Sequence, residues 1–115
     1  RDLLDAMAAD CGTRPTTLRV DGGMVVNNWL SQTLSDVLGV CVDRPVVTET
    51  TALGAAYLAG LGVGLYTSLE SVAEQWRCER EFSPALDEAE RQKRYQGWRD
   101  AVARVCQSSP DSPSR

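Results

Sequence analysis

The sequence predicts an α/β protein, because strand-like and helix-like segments alternate along its 115 residues. Two further observations refine that class. A Val20-Asp21-Gly22-Gly23 turn joins a short β-type run to a helical one, and only two or three strands can be counted, fewer than a sheet of usual width contains. The length is that of an ordinary domain. So narrow a sheet nevertheless predicts one part of a larger α/β domain, incomplete by itself.

Each element follows from spacing and punctuation. Leu3, Leu4, Met7, Ala8 and Cys11 recur at helical intervals and predict an amphipathic helix over Arg1 to Asp10. The chain thus opens in a helix with no leading strand, as a helix-first domain or a segment of a larger one would. Gly12 supplies the left-handed residue that closes this helix. After the proline-containing connection Thr13 to Thr16, Thr17-Leu18-Arg19-Val20 reads as a strand. From Met24 to Leu38, Val25, Trp29, Leu30, Thr33, Leu34, Val37 and Leu38 follow the 3.6-residue period, and Gly39 ends the helix. Val40-Cys41-Val42 is a second strand, and Pro45 to Glu49 a loop.

Thr51 to Leu65 is apolar nearly all round. It is too short for a membrane span, which needs about 20 apolar residues, and glycines stand at 54, 60, 62 and 64. A buried helix from about residue 51 to 60 with a glycine-rich exit is expected. Thr67-Ser68-Leu69-Glu70 has the form of a capping box and starts a short helix through Gln75. Trp76 to Phe82 reads as extended. Pro84 to Cys106 is a long helix with Tyr95, Trp98, Val102 and Val105 along one stripe. Residues 107–115 (QSSPDSPSR) read as a disordered polar tail.

Composition narrows the function classes. The chain is 43% hydrophobic and 24% charged, close to a globular average. Twelve basic residues against sixteen acidic ones give a net charge of −4, which repels phosphate backbones and does not favour an anionic membrane. Neither nucleic-acid binding nor membrane insertion is therefore expected. With no histidine, Ser-His and Cys-His nucleophile pairs and histidine metal ligands are excluded. Cys11, Cys41, Cys78 and Cys106 make no C-x-x-C pair. They read as buried, reduced thiols, and the absence of a signal-like leader fits a cytoplasmic protein. The sequence permits a homo-oligomer without specifying one.

The most informative local feature is the strand-to-helix turn. Gly22 and Gly23 carry no Cβ, so a ligand can approach the backbone. The following helix start offers free amide groups. Asn27, in its first turn, has a carboxamide that can donate and accept, as an adenine edge requires. The same residues also fit a tight turn with Asn27 or Asn28 as a helix cap. No G-K-[ST] follows and no G-x-G-x-x-G is present, so neither a Walker loop nor a dinucleotide fingerprint applies. Roughly thirty residues on, Ala52-Leu53-Gly54-Ala55-Ala56 opens a small-residue helix surface of the kind that packs closely or slides at a hinge.

The pair, in this order, resembles the actin-like ATPase superfamily with its ribonuclease H-like domains. Gly22-Gly23 matches the adenosine motif and Ala52-Leu53-Gly54-Ala55-Ala56 the connecting helix. The longer segments LRVDGGMVVNNWLSQTLSDVLG and VDRPVVTETTALGAAYLAGLGVGLY, with EREFSP and RYQGWRDAVARV, are similar to the C-terminal part of FGGY carbohydrate kinases. The D-R-P and R-Y-x-G-W segments favour the glycerol-phosphorylating branch over the xylulose and gluconate branches. The resemblance implies that residues 1–106 belong to the second, nucleotide-binding domain of such a kinase. It implies ATP or ADP with Mg2+ as the cofactor, glycerol as the substrate and glycerol 3-phosphate as the product. Gly23 and Asn27 would contact the nucleotide, with Gly22 as the adjoining turn residue. The family's catalytic carboxylate, substrate-contacting residues and phosphate loops lie outside the matching segments, so no catalytic or metal-ligating residue is assigned here, and the chain alone is expected to be inactive. Asp21 is assigned to the turn, and Asp87, Glu88 and Glu90 to the dipole of the last helix. A non-catalytic adenine-nucleotide or interaction module is the remaining alternative.

Overall fold

The computed structural model describes residues 1–106; the stretch expected as a tail, 107–115, lies outside them. Nine elements follow one another: α1 (Asp2–Cys11), β1 (Thr17–Arg19), a 3-10 turn (Gly23–Val26), α2 (Asn28–Leu38), β2 (Cys41–Pro45), α3 (Thr50–Gly62), α4 (Leu69–Ala73), β3 (Cys78–Phe82) and α5 (Glu88–Cys106). Gly12 at φ 70° and Gly39 at φ 69° close α1 and α2 in the left-handed region, where a Cβ is disfavoured.

The sheet has the order β1-β2-β3. β1 runs parallel to β2, with Leu18 opposite Val42. β3 returns antiparallel on the other side of β2, with Phe82 opposite Val42 and an irregularity between Arg44 and Pro45. Val42 is therefore central, and none of its surface is exposed. Leu4, Leu38 and Val40, with Leu18 and Leu34 packed against them, form the core between α1, α2 and the sheet.

The face that α2 buries differs from its apolar stripe. Ser31 and Ser35 are fully buried, while Trp29 is 72% exposed. Small hydroxyl side chains let the helix lie close to the sheet and satisfy carbonyls there. Ser35 Oγ lies 2.8 Å from the Val40 carbonyl oxygen and 2.9 Å from that of Phe82. Asp36 Oδ1 accepts from the Ala85 backbone N–H at 2.7 Å, and Arg91 Nε donates to the Asp36 carbonyl at 2.8 Å, so α2 also anchors the entry to α5.

Several expectations need correction. The helix expected from Met24 to Leu38 is broken at Asn27, whose extended φ −77° and ψ 109° separate the 3-10 turn from α2. The capping box sits one residue further on: Ser68 and Ser71 exchange side-chain and backbone hydrogen bonds, and α4 ends at Ala73. The helix expected to be buried, α3, is largely exposed. Only Gly60 in it is buried, under the Tyr66 ring, while Leu58 is 66% exposed. Leu53 and Tyr57 on one side are half-buried and face α4 and the sheet end across a concavity. The cysteines are free, but Cys11, Cys78 and Cys106 are exposed and Cys41 half-buried. All four lie at the first or last residue of a helix or strand, where an element packs least. On α5, Tyr95 and Trp98 both reach Asp2, the indole nitrogen at 2.9 Å, but Val105 is 85% exposed.

The α/β class is as expected, and so is the incompleteness. The Cα radius of gyration is 19.5 Å, whereas a compact domain of 100 residues has about 13 Å.

Candidate functional site

The site lies at the carboxyl ends of the two parallel strands, where ligands of open α/β sheets collect. β1 ends at Arg19, and Val20 still donates to the Asp43 carbonyl at 3.1 Å. The chain then turns sharply. Gly22 adopts φ 90°, a conformation that favours glycine, and its N–H donates to the Thr48 carbonyl at 2.8 Å. Asp21 accepts from the Thr50 hydroxyl. The turn is thereby tied to the start of α3, and Asp21 has the structural role expected of it.

Gly23 opens the 3-10 turn with no heavy atom within 4 Å of where a Cβ would stand. That open space belongs to a shallow concavity of about 250 Å³ lined by Gly23, Met24, Val26, Asn27, Trp29 and Leu30. Met24, Val26 and Trp29 are exposed, so the walls offer apolar surface to a planar ring. Asn27 is the N-cap of α2, its Oδ1 accepting from the N–H groups of Trp29 at 2.9 Å and Leu30 at 3.3 Å. This fixes the carboxamide with its oxygen toward the helix, leaving Nδ2 as a donor for a ring nitrogen. Helix cap and adenine contact, alternatives in the sequence, are compatible in one side chain. Asn28 does not share this position. Its Oδ1 accepts from Arg44 Nη1 at 2.9 Å.

A larger concavity of about 330 Å³ lies between the sheet end, α3 and α4. Arg19 stacks on the Trp76 ring there at 4.0 Å. Its lining is mainly apolar, with no acid among the lining residues. At the start of α5, Asp87 Oδ1 accepts from the Glu90 N–H at 2.8 Å and so caps the helix, while Glu88 pairs with Arg91 at 2.5 Å.

Arg44 is the residue that sequence reasoning missed. The sequence shows it only as part of a family-like D-R-P segment, yet it is 8% exposed and lies under the 3-10 turn. Its guanidinium holds the Glu79 carboxyl below the usual carboxylate range. The available signal was its place two residues after the apolar Val42, on the same face of a strand.

The description "FGGY family of carbohydrate kinases, C-terminal domain" matches residues 1–63. The chain belongs to this family. Within it, the chain is 94% identical over 109 residues to a glycerol kinase of Alcanivorax borkumensis, covering 95% of this chain and 22% of that one. It is 57% identical over 105 residues to a glycerol kinase of Ectopseudomonas mendocina. The chain spans about a fifth of the length of these curated relatives. Among solved structures, glycerol kinase of Plasmodium falciparum with ADP superposes with a TM-score of 0.76 at 34% identity, covering 93% of this chain and 22% of that one. Ligand-bound xylulose kinase of Lactobacillus acidophilus superposes at 0.75 with 20% identity over 92% of this chain and 22% of that one, a likeness of fold. These likenesses agree with the expected actin-like ATPase architecture of a partial domain. No helix among the described residues is long and apolar enough to cross a membrane.

Proposed function

We propose that this FGGY chain is the C-terminal part of an ATP-dependent glycerol kinase and supplies the adenosine side of its site. The observation that carries this reading is the 94% identity to the Alcanivorax borkumensis glycerol kinase. The turn geometry supports it: Gly23 leaves room at the backbone, Asn27 presents Nδ2, and Met24 and Trp29 offer apolar surface beside both. Gly22 sets the turn. Residues 1–106 are then a portion of the nucleotide-binding domain of a cytoplasmic enzyme, and α3 the helix by which it meets the rest of that enzyme.

ATP supplies the γ-phosphoryl group, which passes to a terminal hydroxyl of glycerol to give glycerol 3-phosphate and ADP. Mg2+ travels with the nucleotide phosphates. This chain's own residues bind and orient the adenosine end, and the proton of the glycerol hydroxyl is taken by a group outside the chain. In the parent enzyme, Asn27→Ala should raise the KM for ATP about tenfold and leave the KM for glycerol within about twofold. An unchanged ATP KM contradicts the assignment. The parent enzyme should phosphorylate glycerol in preference to xylulose or gluconate, whereas phosphorylation of glycerol by the purified 115-residue chain alone would contradict the division of labour. A reading frame running into Arg1 from upstream separates this function from that of a free-standing nucleotide-binding module.

A further inference from the structure

The break at Asn27 leaves a problem of backbone accounting. Because Asn27 is extended, the carbonyls of Val25 and Val26 cannot pass into the hydrogen-bond ladder of α2, and Val25 is 8% exposed. Inward-facing carbonyls need donors. Ser31 Oγ supplies one to Val25 at 3.1 Å. The others come from β2, where Arg44 Nη1 lies 2.9 Å from the Val25 oxygen, 3.2 Å from the Val26 oxygen and 2.9 Å from Asn28 Oδ1. Nε of the same guanidinium donates to Glu79 Oε2 on β3 at 2.7 Å, which compensates the charge. The group lies 5.3 Å from the Phe82 ring centroid.

We propose that Arg44 is the positioning residue of the nucleotide turn: its planar fork, anchored on Glu79, holds the Gly23–Val26 turn and the start of α2 at the height over the sheet at which Gly23 and Asn27 meet adenosine. Arg44 touches no ligand itself. It acts through the two carbonyls immediately before Asn27 and the amide of Asn28 immediately after. A lysine has one nitrogen where arginine has three, so it cannot hold Glu79 and the turn at the same time. The inference rests on the proposed nucleotide site.

The test is steady-state kinetics of the parent enzyme with Arg44→Met, Arg44→Lys and Asn27→Ala side by side. Arg44→Met is expected to raise the ATP KM about tenfold with the glycerol KM within about twofold, and Arg44→Lys to raise the ATP KM by a smaller factor. A residue that only stabilises the fold would lower the Tm while the folded enzyme kept both KM values, and that result overturns the proposal. If Arg44→Met does not fold, Arg44→Lys decides, and an ATP KM equal to that of the unsubstituted enzyme overturns it. Asn27→Ala separates the two levels. Should it leave the ATP KM unchanged, the nucleotide reading itself fails. Should it raise the ATP KM while the Arg44 variants do not, only the role of Arg44 fails.

Discussion

Val42 in the middle of β2 has no exposed surface, whereas Leu58 in the middle of α3 keeps 66% of its own. Both sit in apolar runs, Val40-Cys41-Val42 and Ala52 to Leu61, and both runs form the elements their patterns call for. The difference lies in what each meets. β2 has strands on both sides and α2 on one face. α3 meets the Tyr66 ring at Gly60 and Tyr57 and half-buries Leu53, while Leu58 on its other side points outward. A helix apolar all round is built for burial, so the comparison separates a strand covered by its own chain from a helix whose outer side is open. The candidate site sits between the two, its turn bonded to β2 through Arg44 and to the start of α3 through Thr50.

The largest expected effect breaks or confirms that contrast. Val42→Asp places an unpaired charge at the centre of the sheet and should cost several kcal/mol, roughly 3–5, enough to abolish cooperative unfolding in urea. Leu58→Asp in the same chain should change stability by no more than about 0.5 kcal/mol. Comparable losses at both positions would mean that α3 is covered in solution. A smaller effect sharpens the contrast at the site. Asn27→Ala removes the cap of α2 and should cost about 1 kcal/mol of unfolding free energy in urea; no loss would argue that α2 does not depend on it.

The smallest effect concerns the junction of α1 and α5. The Tyr95 hydroxyl, and then the Trp98 indole N–H, hold the Asp2 carboxyl below its ordinary value. A carboxyl lowered on folding contributes above its ordinary pKa and loses that contribution as pH falls through the lowered one. Trp98 emission should therefore be steady at neutral pH and change only in the acid range below ordinary carboxylates. Asp2→Asn should abolish the step, and a step that survives this substitution belongs to another group.

Much of the fold was legible because its punctuation is local. Gly12, Gly39 and the apolar periods each act within a few residues, and the strands and helices fall close to where these signals put them. What was not legible depends on partners far along the chain. Ser31 and Ser35 became the buried face of α2 because Val25, Val40 and Phe82 present carbonyls there, a demand that no helical period records. The break at Asn27 was hidden because the apolar spacing runs straight through it. Gly22, Gly23 and Asn27 were legible as a possible site. Arg44, eighteen residues beyond Val26, was not, since its role exists only once β2 lies under the turn.

The central claim, that the Gly23–Asn27 turn is built to receive a nucleotide, is tested most directly by Gly23→Val. Gly23 has open space where a side chain would stand and, unlike Gly22, no left-handed backbone to strain. The substitution fills the cradle without loading the fold. The parent enzyme carrying it should keep its Tm and its glycerol KM and raise its ATP KM about tenfold, the cost of overpacking a contact surface. A folded variant with an unchanged ATP KM would contradict the account.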